Sequence, residues 1–245
     1  MNIANGLSKL IFLLENKGSF KALLTWPKFS FSSFFLVKKM LQQKVHPKTV
    51  LDVGANVGQF TVASAKLFPD AKIHSFEPDP YSVQKLKKNI SSFNNVEVYP
   101  MAIGDVMDDV SFHINSYSQV SSLLPLSEAR RKAFAKAEVS ETIKVKLSTL
   151  TEALKNTELQ APVLLKLDVQ GYEEKALAGA VGLLDKVDFI LIETCFEPLY
   201  EGEIVFRDLL RIMEEYGFKF SRPINTVTSP VSGEIVEMDV LFVKK

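Results

Sequence analysis

An open α/β sheet, with strands and helices in alternation, is the fold this sequence predicts, and three observations carry the prediction. Residues 50–60 read Val50-Leu51-Asp52-Val53-Gly54-Ala55-Asn56-Val57-Gly58-Gln59-Phe60, a short apolar run that ends in glycines before a helical stretch over 61–67. Strand, glycine turn and helix in that order form the first unit of a nucleotide-binding sheet. Residues 73–76 make a second short strand closed by Glu77, an acid about 20 residues past the turn, where such sheets meet ribose hydroxyls. The strand-then-helix order then recurs, with Asp168 closing a strand over 163–167 and Glu193 closing one over 189–192.

In chain order, residues 2–44 differ in character from the rest of the chain. Ile3, Leu7, Leu10, Ile11 and Leu14 recur at helical spacing and predict an amphipathic helix ended by Gly18. A Phe-rich stretch around Trp26-Pro27 leads to a second helix over 32–43. Three readings of this extension stand side by side: a helical layer on the sheet domain or on a second subunit, a substrate lid, or a membrane-surface foot. A foot calls for more Lys and Arg along the polar face. The main domain therefore begins at residue 45 and runs to 245.

Within it, Gly54 permits the tight turn off the first strand, and Gly58 lets the opening helix pack closely. The spacing is D-x-G-x-x-x-G. Asn56 stands where a dinucleotide fold needs a glycine for close pyrophosphate approach, so a dinucleotide fits poorly. Asp52, at the strand's carboxyl end, suits a cationic group on a ligand. Asp79-Pro80 opens a helix over 81–91 whose lysines lie toward its end, where cations suit the dipole. Residues 96–99 are a third strand. They lead to Met101-Ala102-Ile103-Gly104-Asp105, whose backbone either borders a flat ring of a ligand or simply begins a turn.

An insertion-like region comes next: a strand over 110–114 with His113, a polar loop over 115–123, a charged helical stretch over 128–136 and an alternating strand over 142–147. Loops carry function more often than scaffolds, which assigns substrate recognition here. A helix over 148–155 precedes the buried strand ending at Lys166-Leu167-Asp168, and Lys166 and Asp168 point to one face. Gly171 starts the next helix. Residues 206–216 form an amphipathic helix stopped by Gly217, and strands over 218–221 and 238–243 close the chain around a Pro/Gly/Ser-rich loop.

Composition limits the function. The 245 residues carry 29 basic and 29 acidic side chains, net charge 0, which leaves no electrostatic footprint for gripping long nucleic acid. Cys195 is the only cysteine, so there is no disulfide framework or thiolate zinc site. His46, His74 and His113 have no metal-ligand spacing. The apolar run over 10–14 is too short for a secretory core, and no run approaches the roughly 20 residues that cross a bilayer. A soluble, cytoplasmic protein is expected.

Asp52-Val53-Gly54-Ala55-Asn56-Val57-Gly58, Phe76-Glu77-Pro78 and Lys166-Leu167-Asp168-Val169-Gln170-Gly171-Tyr172-Glu173 together resemble the FkbM family of S-adenosylmethionine-dependent methyltransferases, over roughly residues 49–245. The resemblance implies a class I, Rossmann-like α/β fold: a mostly parallel sheet with helices on both faces, a closing antiparallel strand, and here an N-terminal helical extension. It also implies O-methylation of a hydroxyl on a sugar, glycan or other natural product. An NAD-type oxidoreductase and a non-catalytic protein that keeps the fold are the alternatives.

The expected cofactor residues are then Asp52, Gly54, Asn56, Gly58, Glu77, Pro78, Ala102 and Asp168. Asp52 would meet the amino group of the methionine moiety, and Glu77 the ribose. A Ser-Ser-Leu segment commonly follows the family's hairpin, which puts Ser121 and Ser122 at the acceptor. Methyl transfer to an alcohol needs alignment and a base near the methyl group. Asp168, Glu193, Lys166 and His113 are the candidates, with Lys166 offsetting the repulsion between the acids. A purely structural ion-pair network is the alternative. A divalent metal on the two acids is not favoured, since no third acid or amide is clearly placed to complete an oxygen shell. Where the family often has Asp-Val-Glu-Gly this chain has Gln170, one possible base or ligand fewer, and Glu173 suits a helix N-terminus. A homodimer through the N-terminal helices is a possible partner arrangement.

Overall fold

The computed structural model describes residues 18–115, 118–127, 139–229 and 233–245. The helix expected over 3–14 and the charged stretch over 128–136 lie outside the described residues. Two helices come first, α1 (Ser19–Thr25) and α2 (Phe31–Gln42). The sheet domain then begins: β1 (Thr49–Val53), α3 (Gln59–Leu67), β2 (Lys72–Phe76), α4 (Pro80–Asn89), β3 (Val96–Tyr99), β4 (Ala102–Ile103), β5 (Asp108–Asn115) and β6 (Val139–Ser148). After these come α5 (Leu150–Ala153), β7 (Val163–Leu167), α6 (Glu173–Ala180), β8 (Phe189–Cys195), α7 (Phe206–Glu215), β9 (Phe218–Thr228) and β10 (Ile235–Lys244).

Seven strands form one sheet in the order β3-β2-β1-β7-β8-β10-β9. It is parallel from β3 to β8, whereas β10 runs antiparallel to both β8 and β9. Every residue of β1 and β7 is buried. Strands covered on both faces need apolar side chains on both, which is why these runs do not alternate with polar residues. The pleat divides their cargo. Leu51, Val53, Leu165 and Leu167 face α6 and α7, packing with Ala176, Leu177, Leu209 and Met213. Val50, Ile73, Leu164 and Leu191 face α2 and α3, packing with Val37, Met40, Phe60 and Ala63. The strand order reverses between β1 and β7, and such sheets bind ligands beyond the carboxyl ends at that point.

Several elements depart from the sequence expectations. Gly18, at φ 93°, precedes α1 directly, so it opens a helix in the Phe-rich stretch. Residues 102–103 pair with β6 to form, with β5, a second three-stranded sheet. The helix expected over 148–155 is the single turn α5, capped by Thr149. Gly171, at φ 93°, stays in the turn before α6. Most consequentially, β9 and β10 extend through much of the stretch expected to be loop, with Pro223 on the edge strand, where a missing N–H costs the sheet little.

Candidate active site

A cavity of about 450 Å³ opens at the carboxyl edge of the sheet, within the usual size range of ligand pockets. Its floor is the turn after β1. Gly54, at φ 82°, passes so near β7 that an added Cβ would lie 1.8 Å from the Asp168 carbonyl oxygen. Gly58, at φ 90°, sits against Leu86 and does not line the cavity; a Cβ there would lie 2.6 Å from Leu86 Cδ1. It serves helix packing.

Glu77 and Pro78 line the cavity beside Asn56 and Gly54. The backbone N–H of Asn56 donates to Glu77 Oε2 at 2.7 Å and that of Asp79 to Oε1 at 2.9 Å, which fixes the carboxyl plane. Burial pushes this carboxyl up to about 7, despite those two bonds. Ala102 lies on the same wall, as part of β4, and Phe112 joins it from β5. Ser118 from the hairpin donates to Asn56 Oδ1 at 3.2 Å, so the hairpin closes over the glycine turn.

Asp52 sits at the carboxyl end of β1 as expected, but its side chain faces the protein interior. It is fully enclosed and does not line the cavity. Thr61 Oγ1 donates to it at 2.6 Å, and Lys166 Nζ stands 3.3 Å away. Its Cα partner in the sheet is Lys166 itself, so the acid meets the cation on the neighbouring strand instead of a ligand's amino group.

Lys166 also lies 3.2 Å from Asp168 and over the Phe60 ring. Burial alone would lower its proton affinity, yet the charges of Asp168 and Asp52 raise it above the ordinary lysine value. Paired with two carboxylates of the protein, Lys166 suits fixing their charge more than taking up a substrate proton.

Asp168 and Glu193 both line the cavity, on adjacent parallel strands. Burial works against the charge of Asp168, but Lys166 and the Gln170 amide hold its carboxyl below the usual range. Glu193 is pushed well above the usual range, by burial and then by the charge of Asp168. Two neighbouring carboxyls with opposite shifts are the pattern of one ionised acid and one that exchanges a proton.

His113 is not at the site. Phe112 lines the cavity and successive strand residues face opposite ways, so His113 points outward, where Nδ1 meets Thr142 Oγ1 at 3.1 Å. Of the two serines, Ser121 lines the cavity, whereas Ser122 is buried behind it and donates to the Gln170 carbonyl oxygen at 2.6 Å. Its hydroxyl is engaged in holding the loop, which corrects the expected acceptor role.

The sequence reading also missed part of the lining. Asp239 is the register partner of Glu193 across β10 and β8 and lines the same cavity with Asn225 and Glu237. Burial beside Asp168 pushes Asp239 up to about 6, while Asn225 Nδ2 donates to it at 3.1 Å. The α2 end adds Ser30, Ser32 and Ser33. No local signal marked these residues, because pairing across the sheet brings them in. Among the described residues, no group of three or more His, Cys, Asp or Glu is arranged to hold a metal ion.

A doubly wound sheet with a glycine turn at its switch point, an acid closing the second strand and an antiparallel β10 is a class I methyltransferase fold. The chain belongs to the FkbM methyltransferase family, whose domain profile matches residues 52–220, and it is a methyltransferase. It is 28% identical over 184 residues to the 2-O-methyltransferase NoeI of Sinorhizobium fredii, covering 72% of this chain and 74% of the relative. It is 24% identical to the hexuronic acid methyltransferase AglP of Haloferax volcanii, covering 64% and 60% of the two chains. A SAM-dependent methyltransferase structure from Aquifex aeolicus aligns at TM-score 0.47 and 14% identity, over 87% of this chain and 94% of that one.

Proposed function

We propose that the protein methylates a hydroxyl of a sugar or another polyhydroxylated natural product, with S-adenosylmethionine as donor and Glu193 as base. The relatives NoeI and AglP, by their names a 2-O-methyltransferase and a hexuronic acid methyltransferase, favour a sugar acceptor. The observation that carries the mechanism is the acid pair itself, Asp168 against Lys166 and Glu193 against Gln170, within one cavity with the Gly54 turn and Glu77.

The residues suit the donor. Gly54 leaves open backbone at the turn, and Glu77 offers two oxygens on the cavity wall for a vicinal diol. Bound S-adenosylmethionine supplies an electrophilic methyl group on a sulfonium. With the donor bound, Glu193 in its ionised form would take the acceptor's hydroxyl proton as that oxygen bonds to the methyl carbon and the methyl–sulfur bond breaks to release S-adenosylhomocysteine, while Asp168 with Lys166 would keep a fixed charge balance beside it. The hairpin borders the cavity through Ser118 and Ser121. The dinucleotide alternative has no matching observation, since Asn56 at φ 48° carries a side chain where a pyrophosphate would approach.

Residues 18–44 belong in this reading as a layer that packs on the domain and borders the cavity, with pairing of two copies through the exposed Phe20 and Leu24 of α1. A cytoplasmic setting belongs to it too, because the donor is a soluble metabolite.

Incubation with methyl-labelled S-adenosylmethionine and a panel of monosaccharide glycosides tests the reading. Label in a glycoside methyl ether is the expected result. Donor binding by calorimetry with no transfer to any hydroxyl compound would count against O-methylation.

A further inference from the structure

Gln170 lies in the turn between β7 and α6 and lines the cavity, and its surroundings give the amide a use. Its Nε2 donates to Asp168 Oδ1 at 2.9 Å and to Glu193 Oε2 at 2.7 Å, while its Oε1 accepts from the Tyr200 hydroxyl at 2.6 Å. An amide has two N–H donors and a separate acceptor, so it satisfies all three neighbours at once. A carboxylate in its place would aim acceptors at two other carboxyls.

The backbone is fixed as firmly as the side chain. Gln170 adopts φ 57° and Gly171 φ 93°, a left-handed pair that turns the chain sharply off β7. Gly171 allows this because a Cβ there would lie 2.7 Å from Tyr200 Cβ and 2.9 Å from its ring. Ser122 Oγ anchors the Gln170 carbonyl, and Glu173 Oε1 accepts from Val169 N–H at 2.8 Å. Segments from the hairpin, the β7 turn and the loop after β8 thus converge on one amide.

We infer that Gln170 is the positioning residue of this site: it holds the Asp168 and Glu193 carboxyls side by side and fixes how Glu193 is presented to the cavity. The inference rests on the reading of Glu193 as base. The other charged groups around Glu193 are Asp168 just past β7, Glu237 and Asp239 on β10, and Glu173 on α6, with Lys166 on the far side of Asp168. Three of these acids, Asp168, Asp239 and Glu237, line the same cavity and oppose ionisation of Glu193. The bond from Gln170 favours the ionised form. The amide therefore keeps a buried carboxylate usable as a base without adding charge.

The test needs no acceptor. Carboxyl ¹³C NMR titration of the glutamate-labelled protein, with the Glu193 signal assigned by its loss in Glu193→Gln, reads the proton affinity directly. In Gln170→Leu and Gln170→Glu the Glu193 midpoint should move up by about one unit or more, the scale for losing a hydrogen bond to the charged form. Calorimetric affinity for S-adenosylhomocysteine should stay within about threefold. Tyr200→Phe, which is isosteric and leaves the amide unoriented, should move the midpoint in the same direction by less. Should the Gln170 variants not fold, Tyr200→Phe alone decides. A Glu193 midpoint that stays in place in the folded variants overturns the inference. Full turnover of glycosides by Glu193→Gln overturns instead the reading of Glu193 as base, and the titration still reports on Gln170.

Discussion

Gly54 and Asp168 meet so closely that the Cβ Gly54 lacks would stand 1.8 Å from the Asp168 carbonyl oxygen. This contact joins the turns after β1 and β7 at the switch point and sets the cavity floor. Gly54→Ala should therefore cost far more than an exposed left-handed glycine. Gly202, at φ 83° with nothing within 4 Å, is the internal control. We expect about 1–3 kcal/mol at Gly202 from backbone strain, and a further ~1–3 kcal/mol at Gly54 from overlap. Urea unfolding midpoints of the two variants give the comparison, and equal losses would refute the contact.

Glu77 presents a carboxyl fixed by two backbone donors to the cavity. Losing a charge-assisted pair in such a place costs about 2–3 kcal/mol. Glu77→Ala should weaken S-adenosylmethionine binding by roughly tenfold to a hundredfold. Unchanged calorimetric affinity in a folded variant would take Glu77 out of the donor site.

The two acids should separate in kinetics. Glu193→Gln should lower turnover by about 10²–10⁴-fold, the scale for removing a general base, with donor affinity little changed. Asp168→Asn should also disturb the protein itself, since Lys166 would lose one of the two carboxylates within 4 Å of it. A melting temperature lowered in Asp168→Asn and not lowered in Glu193→Gln is the expected signature.

Glu173 supplies a pH-dependent stability term. Burial, and then the charge of Glu203, pushes its carboxyl from 4.5 up to about 8. The folded state thus holds a proton that the unfolded chain releases between those values. Stability from this group is greatest below about pH 4.5, declines as pH rises to about 8, and is constant beyond. Glutamine keeps the acceptor for Val169 N–H and carries no charge. Glu173→Gln should therefore raise the melting temperature by several degrees at pH 8, at about 2–4 °C per kcal/mol, and by little at pH 5. An equal effect at both pH values contradicts the shift.

The N-terminal layer is testable in two ways. Met40 is fully enclosed between α2 and the sheet domain, so Met40→Ala should cost about 2–5 kcal/mol in chemical unfolding. Leu24, 69% exposed on α1, should matter only to association. Leu24→Glu should turn a dimer into a monomer by light scattering with no loss in unfolding midpoint. A wild-type protein of monomer mass ends the dimer proposal.

The sequence by itself determined the fold class, the order of the parallel strands' motifs and the edge at which the cavity opens. Those features depend on local chemistry: a glycine turn needs left-handed backbone at Gly54, and an acid that closes a strand lies at that strand's carboxyl end wherever the strand sits. What each acid faces was decided by pairing. Asp52 has the same position in its motif whether it meets a ligand or Lys166, and only the β1–β7 register put the cation beside it. His113 left the site because Phe112 took the inward side of β5, a parity that the spacing alone did not fix. Asn225 entered because β9 continues through a stretch rich in turn residues, where edge position and cross-strand bonds outweighed propensity, and Asp239 because the β8–β10 register sets it opposite Glu193. Gln170 acquired its three partners from Asp168 nearby and from Glu193 and Tyr200, 23 and 30 residues away. Hydrogen bonds of that length in sequence leave no periodicity to read, and only the folded chain brings their ends together.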